Sequence, residues 1–254
     1  MDNRGFGRVA VLGLALWFGC CGMPASGHAG DLQLYTLDAP PMTMVEAPVG
    51  DHAHGFVADI AIEAAKRAGF DLDLQFLPWM RGQQLAAEGE NALITPLART
   101  PEREASYSWV APICHLQRAF ATLDRPVDSF EDARLHLHSI LVGRGSAQEA
   151  TLRSLGFDDG RLQHVEIGLS ETDMLRLGRV DAWFNSTVET EWKWRRSGQT
   201  APLVFGKTLY VDEIYLACSR RCSALILDRL RAALAAMTED GTATRIERRY
   251  LGST

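Results

Sequence analysis

The sequence has a single long apolar run, and it sits at the very start, from Val9 to about Cys21. A polytopic membrane protein is thereby excluded. Basic residues are not in excess: 26 Lys and Arg face 32 Asp and Glu, for a net charge of −6. A nucleic acid is excluded as a partner on that ground, because basic groups supply the affinity for its phosphate backbone. Five cysteines occur, with no second Cys pair or His pair at ligand spacing, so there is no zinc signature. No nucleophile signature such as Gly-x-Ser-x-Gly is found, and neither are low-complexity linkers or internal repeats. What is there is ordinary globular composition, 46% hydrophobic and 23% charged over 254 residues. That is enough chain for one large domain or two modest ones.

The first thirty residues read as a secretory signal peptide. Arg4 and Arg8 precede the apolar stretch, and the small residues of CGMPASGHAG follow it. The stretch is short of the roughly 20 apolar residues that span a bilayer. The expected cut follows Ala29, with Gly27 three positions before the bond. Two alternatives stay open: an uncleaved anchor, and lipidation at Cys20, where Trp17-Phe18-Gly19 is a poor match to the usual small aliphatic run. Removal of 1–29 takes away Asp2, Arg4 and Arg8 and leaves 24 basic and 31 acidic residues, a net charge of −7. Cys114, Cys218 and Cys222 survive. Export to an oxidising compartment favours a small disulfide loop, Cys218-Ser-Arg-Arg-Cys222, with Cys114 unpaired; three buried thiols are the alternative.

Along the mature chain, Leu32 to Leu37 alternates as a strand and Asp38-Ala-Pro-Pro41 stops it. The run VADIAIEAAKRAG puts Ile60, Ala61, Ala64, Ala65 and Ala68 on one helical stripe, with Gly69 as a C-terminal cap. Asp71 to Phe76 alternates again, completing a βαβ unit and implying a parallel sheet. Similar units recur: a strand at His138–Val142, a turn at Gly143-Arg-Gly145 and a helix from Ser146 to Leu155. A helix capped by Ser170 with Asp173 then reaches Gly178, and strands follow at Val180–Phe184 and Glu213–Cys218. Helices at Ser223–Met237 and Thr242–Tyr250 close the chain. The fold class is α/β with parallel sheets.

These pieces resemble a known family, the extracellular solute-binding proteins of the amino-acid-binding type that serve ABC importers. The likeness covers Leu32 to Gly252. Its motifs come in the family's order: Gly55-Phe56 with Asp59, Leu77-Pro-Trp79-Met-Arg81, Arg99-Thr-Pro-Glu-Arg103 and Ser108-Trp-Val-Ala-Pro112. Val142-Gly-Arg-Gly-Ser146, Gly178-Arg-Val-Asp-Ala182 and Glu239-Asp-Gly241 follow. The Pro-Trp-x-Arg and Arg-Thr-Pro-Glu-Arg segments resemble one large subgroup with diverse ligands. The resemblance implies two α/β lobes joined by two hinge strands, with the ligand in the cleft. Lobe one would be 30–118 and 212–254, lobe two 119–211, and hinge closure the associated motion.

The resemblance also implies a site. Arg103, ending the Thr-x-x-Arg motif, would hold the ligand carboxylate through its guanidinium fork; the alternative is a surface Arg paired with Glu102 or Glu104. A glycine turn feeding a helix, Gly145-Ser146, leaves N–H groups as an anion seat, or serves simply as an N-cap. Arg144 beside it would add charge. A carboxylate gripped by Arg103 and Ser146 from opposite lobes would favour the closed form. Trp79 is an apolar wall or a core residue, and Arg81 reaches the cleft or pairs with a Glu on its helix. Amino-acid binders usually carry an Asp where this chain has Ser186, preceded by Asn185, and a hydroxyl where it has Ala98; Thr95 remains nearby. A serine cannot neutralise an ammonium, so Glu189 or Asp38 takes that role or the ligand has no ammonium. The histidines of Asp51-His52-Ala-His54, and His136 with His138 on one strand face, read as solvated residues.

The function expected is a periplasmic, monomeric receptor that needs no cofactor or metal. It would deliver a small carboxylate-bearing solute to the membrane permease of an ABC importer. Two other classes remain. One is a periplasmic dehydratase acting on a cyclic carboxylic acid, with Arg103 and Glu189 as its site; the other is a sensory ligand-binding protein.

Overall fold

The computed structural model describes residues 32–45, 54–168 and 171–252. The expected leader with its cut after Ala29, the alternative lipidation site Cys20, the Asp51-His52 pair and the capping Ser170 lie outside the described residues. No helix among the described residues is long and apolar enough to cross a membrane.

The chain opens as β1 (Leu32–Thr36), α1 (Phe56–Ala68), β2 (Leu72–Phe76), α2 (Trp79–Glu88) and β3 (Leu93–Ala98). Both β2 and β3 lie parallel to β1, as the first βαβ unit predicts. The apolar stripe of α1 is buried along its length, and Gly69 ends the helix in the left-handed conformation at φ 82°. At the other end Gly55 has φ 92°, and a Cβ there would lie 2.4 Å from the Met42 carbonyl oxygen. The loop after β1 therefore packs directly on the start of α1.

A 3-10 turn, Pro101–Arg103, leads into the long β4 (Tyr107–Thr122). The second half of the molecule follows: α3 (Phe130–His136), β5 (Ile140–Gly143), α4 (Ala147–Ser154), β6 (Leu162–Val165), α5 (Glu171–Arg176), β7 (Ala182–Ser186), α6 (Thr187–Arg196) and β8 (Val204–Phe205). The chain returns through β9 (Tyr210–Ser219) and ends with α7 (Ala224–Glu239) and α8 (Thr242–Leu251).

The strand order is β2-β1-β3-β9-β4-β7-β5-β6, with β8 on β4. β4 and β9 run antiparallel from the Tyr107–Ser219 pair to the Arg118–Tyr210 pair. One end of this ribbon is flanked by β3 on β9, the other by β7 on β4. The two strands thus carry the chain between halves whose cores are largely separate. One core joins residues from Leu32 to Leu116 with Ile214 to Ile246, and takes in Ala147 from across the cavity. Two smaller cores use Phe120 to Phe184 and Leu141 to Trp194.

Two expectations need correction. The sheet is mixed rather than parallel: β1–β2, β1–β3, β5–β6 and β5–β7 are parallel, but every pairing of β4 and β9 is antiparallel. The chain leaves the first half along β4 and comes back to it along β9, so the two crossing strands run in opposite senses. His136 and His138 do not share a strand face either. His136 ends α3, where it faces Asp132 at 2.8 Å, and the backbone N–H of His138 donates to Asp181 before β5 begins.

Cys218 and Cys222 are joined as a disulfide at the end of β9, and Cys114 is a buried free thiol. Burial pushes the Cys114 thiol well above its ordinary pKa, which makes it a poor nucleophile. An oxidised chain spanning 30–254 is expected to titrate no thiol when folded, one after denaturation and three after reduction. Three thiols in denatured, unreduced protein would contradict the pairing.

Candidate functional site

A cavity of about 60 Å³ lies between the two halves, above the β4–β9 ribbon. Arg103 reaches it from the turn after β3. Pro101 opens that turn with its preset φ, and the Arg103 N–H closes it on the Thr100 carbonyl at 3.0 Å. The guanidinium then spans the cavity mouth: Nη1 donates to the Ala98 carbonyl and Nη2 to the Gly145 carbonyl, both at 2.9 Å. No carboxylate among the described residues forms an ion pair with it. Burial pulls the Arg103 pKa below its ordinary value, with Tyr107 and Asp212 opposing. The surface alternative does not hold, since Glu104 is taken by Arg99 at 2.8 Å.

Across the cavity, α4 begins at Ser146, whose Oγ accepts from the Glu149 N–H at 3.1 Å. Glu149 Oε2 in turn accepts from the Gly145 N–H at 2.7 Å, and the Ser146 N–H donates to the Gly143 carbonyl at 3.1 Å. The anion seat expected at Gly145 and Ser146 is therefore already filled by the chain itself. The helix start facing the cavity is that of Ala147 and Gln148. Gly145 has φ 70°, and a Cβ would come within 2.8 Å of Met80. Its carbonyl accepts from Gln83 at 3.2 Å as well as from Arg103. Trp79, the first residue of α2, is buried against the cavity, and its N–H reaches Glu166 Oε1 at 3.3 Å.

The far wall carries the other charges. Glu171 at the start of α5 and Glu189 in the first turn of α6 both line the cavity and are 4% exposed. Lys193, one helical turn beyond Glu189, stands 2.9 Å from Glu171 Oε1 and 2.8 Å from Glu189 Oε1. Asn185 also lines the wall, and its side-chain oxygen accepts from Gln148 at 2.8 Å. On the floor, Arg118 of β4 donates from Nε to Asp212 of β9 at 2.7 Å, with only 5% of its side chain exposed.

The structure thus brings Arg103, Trp79, Ser146 and Asn185 to one cavity, and it leaves four other expected residues off it. Arg81 is exposed on α2 and bonds Gln84. Arg144 is exposed beyond β5. Thr95 is fully buried and spends its hydroxyl on the Tyr215 carbonyl at 2.9 Å. Ser186 is fully buried as the cap of α6, accepting from the Glu189 N–H at 3.3 Å. Of the two acids named for an ammonium, Glu189 lines the cavity. Asp38 is exposed and accepts from the Val45 N–H at 3.2 Å. Sequence reasoning missed Arg118, Gln148, Glu171, Trp183 and Lys193. Trp183 was readable only as part of a buried strand, and no local signal marks Glu171. Among the described residues no group of three or more His, Cys, Asp or Glu could hold a metal ion.

A model of the bacterial extracellular solute-binding proteins, family 3, matches residues 34–253. No curated protein matches by sequence. Among solved structures, the chain is similar to an ancestral arginine-binding protein bound to arginine. They are 20% identical, with 89% of this chain and 100% of that one covered and a TM-score of 0.77. It is similar to an amino acid ABC transporter substrate-binding protein from Streptococcus pneumoniae bound to L-arginine: 15% identity, 87% and 94% covered, TM-score 0.73. It is also similar to an ancestral amino acid-binding protein described as a precursor of cyclohexadienyl dehydratase: 17% identity, 87% and 94% covered, TM-score 0.71. At these identities the likeness is one of fold.

The Arg118–Asp212 pair ties β4 to β9 where both cross between the halves. Arg118→Met, leaving a largely buried carboxylate unpaired, is expected to cost about 3–5 kcal/mol in denaturant melts. Adding Asp212→Leu is expected to recover most of that loss. Equal stabilities for the single and double variants would show that the unpaired Asp212 carboxylate is not the source of the loss.

Proposed function

The chain belongs to the family 3 bacterial extracellular solute-binding proteins, and on that premise we propose that its cleft captures a small polar solute through a carboxylate held by Arg103. The observation that carries this reading is the Arg103 guanidinium, half-buried at the cavity with backbone carbonyls as its only hydrogen-bond partners among the described residues. A buried cation paired only with neutral acceptors gains most from a bidentate anion. In this reading 30–118 with 212–254 forms one lobe and 119–211 the other, hinged at the β4–β9 ribbon. Arg103 and Trp79 belong to the first lobe. The start of α4, Asn185, Glu171 and Glu189 belong to the second.

Binding would couple to closure because the ligand touches both lobes only when they meet. The contacts of Arg103 and Gln83 with the Gly145 carbonyl, and of Trp79 with Glu166, join the same two lobes. They give the closed form a grip of its own. The receptor would act as a monomer in the periplasm after leader removal at Ala29, handing its solute to the permease of an ABC importer.

The alternative of a dehydratase, with Glu189 as general acid, draws on the likeness to a dehydratase precursor. The Glu189 carboxylate is ion-paired with Lys193 at 2.8 Å, which supports a binding role over proton transfer.

The test is a thermal-shift screen of residues 30–254 against amino acids, dicarboxylates, cyclic carboxylic acids, amines and sugars. A ligand at about 100 times its Kd stabilises the folded state by roughly 2.7 kcal/mol. A carboxylate hit is expected, and Arg103→Ala should weaken it by at least about tenfold, the loss of charged hydrogen bonds. Binding within twofold of the original would remove Arg103 from the site. Turnover of the hit would favour the dehydratase.

A further inference from the structure

The two walls of the cavity carry opposite charge, and the count can be made residue by residue. Arg103 contributes one positive charge. Arg118 and Asp212 cancel as a pair. On the far wall stand two carboxylates, Glu171 and Glu189, with one ammonium, Lys193, behind them. Their side chains are 5%, 6% and 9% exposed, so all three are at least nine-tenths out of solvent. Burial alone would lower the pKa of Lys193, but Glu189 and Glu171 outweigh it and hold the group well above its ordinary value. The lysine is therefore charged, and the triad has a net charge of minus one.

The geometry within the triad is unequal. Lys193 Nζ donates a hydrogen bond to Glu171 Oε1, which also accepts from the Gly168 N–H at 2.8 Å. Toward Glu189 Oε1 it makes an ionic contact of 2.8 Å without hydrogen-bond alignment. That oxygen is out of solvent and has no hydrogen-bond donor among the described residues. The ammonium also sits 5.7 Å from the centre of the Trp183 ring, another wall residue, which helps fix its position. Only three lysines occur in the chain, Lys66, Lys193 and Lys207, and one of them is placed here. A compact ammonium fits between two carboxylates, where a planar guanidinium would crowd them.

We propose that Glu171, Lys193 and Glu189 form the cavity's cation-recognition site. Lys193, by cancelling one of the two carboxylates, sets its capacity at a single positive charge. This deepens the reading above and rests on it. With its carboxylate on Arg103, the solute carries one cationic nitrogen toward Glu189, and every charge in the closed cavity is matched. The solute is then a zwitterion rather than a simple carboxylate. The triad also supplies, along α6, the negative charge that Ser186 cannot offer at the start of that helix. Lys193 touches no ligand; it is a positioning residue that acts through its two partners.

The experiment is calorimetric titration of the purified chain with the twenty standard L-α-amino acids, and of the tightest with its 2-hydroxy acid, which lacks the ammonium. The wild type is expected to prefer the amino acid by at least about tenfold, the scale of a charged hydrogen bond. Glu189→Gln and Glu171→Gln each leave a neutral triad, and each should erase that preference. Glu189→Gln combined with Lys193→Met restores a single negative charge and should recover it; Glu171→Gln with Lys193→Met provides a second such variant. Circular dichroism checks that each is folded. A purely structural lysine could not restore selectivity by being removed. Wild-type selectivity in both single variants, or no recovery in a folded double variant, overturns the proposal. A wild type that binds 2-hydroxy acids as well as amino acids overturns it too, but leaves Arg103 as the carboxylate anchor. If Arg103→Ala does not weaken binding, the reading beneath the proposal fails.

Discussion

The structure turns on a guanidinium partly withdrawn from water between two halves and bonded, among the described residues, to carbonyl oxygens alone. Removing a cation from solvent is costly unless it is paired, and the Ala98 and Gly145 carbonyls offset that cost only in part. One of these carbonyls lies in each half of the molecule. Separating the halves would break one of the two bonds, and in the proposed reading an anion in the cleft would replace it with a stronger one. Gly145 makes this approach possible, since its positive φ and missing Cβ let the turn reach Arg103 beside Met80.

The surrounding architecture fixes where that guanidinium can go. The three cores lie mostly to one side or the other of the crossing ribbon, with Ala147 of α4 packed into the first. Among the described residues the ribbon is the part of the sheet shared by both halves, and the Arg118–Asp212 pair sits where β7 begins to pair with β4. In the proposed reading, flexing of that ribbon would move each half as a unit, because packed cores do not deform continuously. The charges on the far wall balance the near one, so the closed cavity is polar at both ends and neutral in sum. That pattern suits a small solute with separated charges and disfavours an apolar one.

Much of this was legible in the sequence where local rules act alone. The stripe of α1 and its Gly69 cap, the first βαβ unit, and the glycine turn into α4 follow from periodicity and capping. The βαβ signals overstated the parallel character of the sheet, because β4 and β9 are specified by long-range pairing and their sequences carry no turn or period that shows it. At the site, Arg103 was legible through a motif. Glu189 was partly masked: Ser186-Thr-Val-Glu189 has the spacing of a capping box, and the serine does cap the helix, but the carboxylate turns to Lys193 instead of back to the cap. Glu171 and Lys193 are twenty-two residues apart and become partners only when α5 and α6 pack together. Thr95 and Arg81 looked suitable by type, but one hydroxyl had a carbonyl beside it and one guanidinium had a helix neighbour. Nearest available partners, rather than residue type, decided both.

The most direct measurement of the central claim is a crystal structure of the chain with the tightest carboxylate ligand from the screen. The account predicts both carboxylate oxygens within hydrogen-bonding distance of the Arg103 guanidinium, with the cleft closed over the ligand and Trp79 against it. A ligand seated elsewhere, or one in the cleft with its carboxylate turned away from Arg103, would contradict the account.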